Sequence, residues 1–204
     1  MKFSITPLEA DVFRDRLPEA LRVYVDAMGY PSDVIRSRAS AWLDHSRRAG
    51  WSGWAAFATR RRTFLSRSGD ELVGICYGYH GEPGQWWYDQ VSRGLAGVGS
   101  TISPDFVELT ELHVSPDWQG HGLGSQLLQK FLEDRPEATV MLSTPEVSGD
   151  ANRAWRLYGS LGFRDVLRNF RFAGDPRPFA VLERPLPLGA DLTTGSDAGP
   201  GTSH

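Results

Sequence analysis

The sequence predicts an α/β (α+β) chain, because strand and helix patterns interleave along its length. Two stretches carry most of this. Phe106 to Val114 is rich in β-branched and apolar residues; Pro116-Asp117 breaks it, and Leu123, Leu127, Leu128, Phe131 and Leu132 then repeat at helical spacing. Ala138 to Thr144 and Asp150 to Gly162 repeat the pair as a buried strand followed by a helix.

Length and composition bound the problem. The 204 residues are enough for one domain with a real core, assigned here to residues 1–186. A net charge of -3 gives no basic field for nucleic acid, and Arg60-Arg61-Arg62 is short enough to be a solvated surface. The lone Cys76 excludes a disulfide framework and fits the reducing cytoplasm. The N-terminal stretch has no long apolar region, and no window is long and apolar enough for a membrane span. No metal site is expected.

Taken in order, Phe3 to Pro7 suits a first strand. Pro18 is placed to open a helix carrying Leu21, Val25 and Met28, ending near Gly29. A second helix is expected from Pro31-Ser32 to about Arg48, with Val34, Ile35, Ala39, Trp42 and Leu43 inward and Gly50 stopping it. Trp51 and Trp54 read as packing residues or as substrate contacts. Thr63 to Ser68 and Leu72 to Tyr79 read as a hairpin turned at Ser68-Gly69-Asp70, and Gly74 and Gly78 suggest a bulge or a close backbone approach. Residues 81–105 hold Trp86, Trp87 and Tyr88 followed by Gly-rich sequence; these aromatics either cover the sheet as a helix or line a cleft with Tyr77 and Tyr79. Phe163 to Phe172 and Phe179 to Arg184 are the last strands. Residues 187–204 are poor in large apolar groups, and a disordered tail is expected.

The turn between the central strand and its helix reads Gln119-Gly120-His121-Gly122-Leu123-Gly124-Ser125. The first N–H groups of a helix lack internal partners and its dipole favours anions, while glycines let a ligand approach the backbone. The P-loop is excluded because Gly124 is followed by Ser125-Gln126, and the dinucleotide fingerprint because the third glycine is at the wrong offset. Gln/Arg-x-x-Gly-x-Gly does fit, and here the chain resembles the GCN5-related N-acetyltransferases (the GNAT family). Asn152, Ala154, Leu157-Tyr158 and Leu161-Gly162-Phe163 resemble that family's late segment. The likeness covers roughly residues 3 to 186.

The resemblance implies a mixed, mostly antiparallel sheet of about seven strands, flanked by helices and splayed between the fourth and fifth. It implies acetyl-coenzyme A as cofactor, with Gln119, Gly120, His121, Gly122, Leu123, Gly124 and Ser125 at the pyrophosphate. Leu112, His113 and Val114 would pair with the pantetheine arm, the N–H near Leu112 would reach the thioester carbonyl, and Asn152 would contact the arm or bound water. Tyr158 matches the general acid. Glu108 matches a glutamate base and Glu111 lies nearer the splay; they are three apart, so a regular strand sends them to opposite faces unless a bulge intervenes. His113 and a water chain are the other routes for the proton. Gln119 in place of arginine lowers the charge offered to the pyrophosphate. The implied activity is transfer of an acetyl group to a primary amine, on a small molecule or a peptide. A binder of acyl-coenzyme A without turnover and an enzyme using another acyl donor or a hydroxyl acceptor are the competing functions. The family also allows a homodimer through the last strands.

Overall fold

A computed structural model describes residues 2–59, 70–146 and 153–188. Its elements, in chain order, are β1 (Phe3–Leu8), α1 (Ala10–Met28), α2 (Val34–His45), β2 (Ser52–Thr59), β3 (Asp70–His80), α3 (Trp86–Gly97) and β4 (Phe106–Val114), followed after a short 3-10 turn by α4 (Leu123–Leu132), β5 (Thr139–Pro145), α5 (Arg153–Ser160), β6 (Arg164–Phe170) and β7 (Phe179–Pro185). The strands form one sheet in the order β1-β2-β3-β4-β5-β7-β6. All neighbours are antiparallel except β4 and β5. Those two pair at Phe106↔Thr139, Val107↔Val140 and Glu108↔Met141, and beyond Glu108 they part. The expected mixed sheet and its splay are therefore present.

Each face of the sheet has its own core. Phe13, Leu21, Trp42, Ala55, Ile75 and Tyr77 pack together under α1 and α2. The α4 stripe Leu123, Leu127, Leu128, Phe131 and Leu132 packs on the opposite face with Ala56, Ala58, Val107, Val140 and Leu142. Burying such a stripe supplies about 1.5–3 kcal/mol per side chain before entropy is counted. A third cluster joins Trp87, Val91 and Leu95 of α3 to Phe106, Met141 and Val181. Met141 alternates with Val140 and Leu142, so α3 lies on the α1–α2 face.

Three expectations change. The second strand is Ser52–Thr59, paired with β1 and with β3. Its Gly53, Ala55, Ala56 and Ala58 have low strand propensity, but small side chains let helices approach both faces. The expected strand Thr63 to Ser68 lies outside the described residues. Pro18 sits inside α1 rather than opening it, because the helix already starts at Ala10; Pro18 is exposed, where the lost N–H bond is least costly. The Gly-rich run after Tyr88 is helical to Gly97, held by the buried Val91 and Leu95. The expected tail, apart from residues 187 and 188, lies outside the described residues.

Candidate active site

β4 holds the decisive local feature. Pairing with β3 runs Tyr79↔Glu108, Gly78↔Leu109, then Tyr77↔Glu111, so Thr110 is an extra residue on β4. The bulge shifts the side-chain parity by one. Glu108 and Glu111, three apart, consequently share the face of Tyr79 and Tyr77. Gly78 makes this possible: a Cβ there would stand 2.1 Å from the Glu108 carbonyl oxygen.

A cavity of about 710 Å³ opens on this face. Its floor is Glu108 to His113, and α2 contributes one polar face, Arg38, Ala41 and His45, continued by Arg48 at helical spacing. Tyr79, Trp86 and Trp87 line the inner end, and Thr144, Ala154 and Tyr158 reach it from the β5–α5 side. Tyr30, Asp175 and Arg177 border it where two loops meet. Arg177 clasps Asp175 with Nε and Nη2, and its Nη1 donates to the Tyr30 hydroxyl at 2.6 Å. The α1–α2 turn is thereby tied to the β6–β7 loop.

The two carboxylates differ. Glu111 accepts from Trp42 Nε1 at 3.1 Å and lies 2.6 Å from His113 Nε2, so it is committed to partners. Glu108 is 4 % exposed, and its buried Oε2 has no hydrogen-bond partner among the described residues. Burial pushes its carboxyl up to about 8, against the charge of Arg48 and a hydrogen bond from Tyr79. A buried acid with a free oxygen beside a cavity, titrating near neutrality, can take a proton from a bound amine. His45 lies 3.1 Å from the Tyr77 hydroxyl through Nδ1, and burial and Arg48 push it down to about 4, so it is neutral at pH 7. Tyr158 is 8 % exposed and packs in the α4-side core, on the opposite face from the carboxylates. Burial raises its phenol well above the usual range, so it keeps its proton. The cavity reaches both faces where β4 and β5 part.

The glycine turn is built as the sequence suggested. Gly120 and Gly122 have φ of 82° and 77°, and Gly122 caps α4 in the left-handed region. The first i−4 bond of the helix is Gln126 N–H to Gly122 C=O, so the N–H groups of Leu123, Gly124 and Ser125 precede the ladder. A Cβ at Gly120 would meet nothing within 4 Å, and at Gly122 only the end of Gln126. That open, donor-lined concavity fits a pyrophosphate. Gln119 acts as a buttress: its Nε2 donates to Val114 O, and its Oε1 accepts from Arg153 at 2.6 Å. Arg153 thus brings to the turn the cation that Gln119 lacks. His121 is exposed. Ser115 N–H donates to Val73 O, so by ladder alternation the N–H groups of Leu112 and Val114 face away from β3, toward the splay.

The aromatic candidates separate. Tyr79 and Trp87 line the cavity, with Trp87 Nε1 donating to Ser143, and Trp86 is 54 % exposed at its rim. Tyr77 is instead enclosed among Phe13, Trp42 and Trp51, and Tyr88 stacks on Phe106. Asn152 lies outside the described residues. His45, Arg48, Asp175 and Arg177 were not singled out from the sequence. The spacing of Arg38, Ala41, His45 and Arg48 was the available signal for the α2 wall; nothing local marked the β6–β7 loop. No described helix is long and apolar enough to cross a membrane.

A splayed mixed sheet with a donor-lined turn at the splay is the architecture of an acyltransferase of the acetyl-transfer type. Residues 18–163 match the Acetyltransferase (GNAT) family, and the chain belongs to that family. It is 46% identical over 191 residues to the GCN5-like protein acetyltransferase Rv2170 of Mycobacterium tuberculosis, covering 85% of this chain and 93% of the relative. Among solved structures, the ribosomal-protein-S18-alanine N-acetyltransferase of Escherichia coli superposes with a TM-score of 0.57 at 18% identity, covering 95% of this chain and 99% of that one. The NatC complex bound to Gag peptide and CoA contains a chain at TM-score 0.57 and 15% identity, covering 92% of this chain and 100% of that one. At these identities the structures establish the fold alone.

Proposed function

We propose that the protein is an N-acetyltransferase that moves the acetyl group of acetyl-coenzyme A to a primary amine of a peptide or protein. The observation that carries the reading is the Thr110 bulge, which turns Glu108 and Glu111 onto the cavity face while Tyr158 reaches the same cavity through the splay. The peptide or protein acceptor is supported by the name of the 46% identical relative; small amines are the alternative class.

Each part of the chain has a defined task. When bound, the cofactor supplies an acetyl thioester whose carbonyl carbon the amine attacks. The N–H groups from Leu123 to Ser125 would hold the pyrophosphate, with Gln119 and Arg153 fixing the turn. Leu112, His113 and Val114 would offer backbone to the pantetheine arm, and the Leu112 N–H, turned away from β3, would make the oxyanion-type contact. Glu108 takes the proton that the amine must lose. Glu111 orients His113 and Trp42 on the same wall. Tyr158 keeps its proton at neutral pH and would give it to the departing sulfur, so that each proton moved would have a donor and an acceptor.

Release of free thiol from acetyl-coenzyme A tests this across short peptides and small amines. Turnover with peptides is expected. Tyr158→Phe should lower kcat by about 10–100-fold with coenzyme A affinity kept. Tight coenzyme A binding with no turnover of any acceptor would favour a binder, and no coenzyme A binding would overturn the reading altogether.

A further inference from the structure

The acetyl-transfer reading leaves one charged group on the cavity wall without a task. Arg48 is half-buried, and its guanidinium lies over the Tyr79 ring at 4.5 Å. The other carboxylates around it are engaged, Asp44 with Arg47 at 2.9 Å, Asp175 with Arg177 and Glu111 with His113, while Glu108 feels the charge of Arg48. Among the described residues, none stands within ion-pair distance of Arg48. Its neighbour His45 carries no charge at pH 7. Arg38, the other cation of this wall, lies over the Tyr24 ring and acts on Asp175. A guanidinium stacked on a ring keeps its in-plane N–H fork free, which is the geometry a carboxylate takes bidentately.

The cofactor does not account for this cation. Tyr79 pairs with Glu108, six residues before Val114, so Arg48 sits about 15–20 Å of strand away from the pyrophosphate turn. It lies at the acceptor end, beside the free oxygen of Glu108.

We propose that Arg48 is the acceptor anchor: it forks onto a carboxylate carried next to the amine that Glu108 deprotonates, so the preferred acceptor is a peptide amine flanked by an acidic residue. This rests on the acetyl-transfer reading above. The competing role for Arg48 is that of a counter-ion to Glu108 alone. That role would alter the pH dependence for every acceptor equally and would not distinguish one acceptor from another.

The test uses three lysine peptides that differ in one flanking residue: glutamate, alanine or lysine. The wild-type enzyme should favour the glutamate peptide over the alanine peptide by about tenfold or more in kcat/KM, chiefly through KM. In Arg48→Ala that ratio should fall to about one, and Arg48→Glu should shift the preference to the lysine-flanked peptide. If Arg48→Ala does not fold, Arg48→Lys carries the same test: it keeps the charge, loses the fork and should give an intermediate ratio. A wild-type enzyme with no preference, or a ratio that survives Arg48→Ala while the pH profile moves, overturns the anchor and leaves acetyl transfer standing. No turnover of any peptide overturns peptide acetylation and the anchor with it.

Discussion

The acceptor cavity is floored by β4 and the glycine turn follows a few residues after that strand, yet they are made of different material. The turn is made of backbone: two left-handed glycines and the first N–H groups of α4. The cavity is made of side chains brought from α1, α2, α3, β3, β4, β5, α5, β7 and the β6–β7 loop. A backbone site tolerates side-chain change and fails when φ is disturbed. A side-chain site depends on burial and on the register of every element that supplies it.

The sharpest attack on the cavity is Glu108→Gln, expected to lower kcat by about 10²–10⁴. In the wild type, kcat/KM should rise with pH and level off above about 8, as Glu108 loses its proton; in the variant that limb should vanish. The folded state holds this proton more tightly than the unfolded chain does. Its contribution to stability is therefore full below the unfolded carboxyl value and is lost as pH rises through about 8. Glu108→Gln should accordingly gain stability relative to wild type at pH 9, by on the order of a few kcal/mol in denaturant melts. An unchanged pH profile would remove Glu108 from the proton path.

On the turn, Gly122→Asp should weaken coenzyme A by about 100-fold in calorimetry, through strain at φ 77° and a carboxylate set against the anion. Between the two sites, Gly78→Ala should lower stability by about 1–3 kcal/mol, because its methyl meets the Glu108 carbonyl, and should lower turnover by disturbing the bulge. The smallest effect should come from His121→Ala, which keeps the N–H and removes an exposed ring; coenzyme A affinity should change less than about threefold. A large loss there would mean that the turn also works through side chains.

The same contrast governs what could be read from the chain. The α4 stripe was legible to the residue, and so were the bounds of β4 and the close approach at Gly78, because each is written in neighbouring residues. The bulge was foreseen as a possibility, but not its place: Thr110 has no local mark, and only the pairing with β3 reveals it. β2 was missed because its alanines and glycine argue against a strand until the helices on both faces are known. Tyr77 and Tyr79 look alike in sequence; Tyr79 reaches the cavity, while Phe13 and Trp42 enclose Tyr77. The α2 wall and the clasp at Arg177 depend on tertiary packing, beyond the reach of a periodicity.

That clasp also bears on how the molecule comes apart. Its hydrogen bond joins residues separated by 147 positions, through two surface loops. Closing so long a loop requires the sheet to be in place first, so the contact forms late in folding. For the same reason it is among the first to go: a part-buried bond between loops opens at a free energy far below that of the β3–β4 core. Amide exchange should therefore reach the backbone near Tyr30 and Arg177 well before β4, and mild denaturant should abolish turnover while the sheet is still intact.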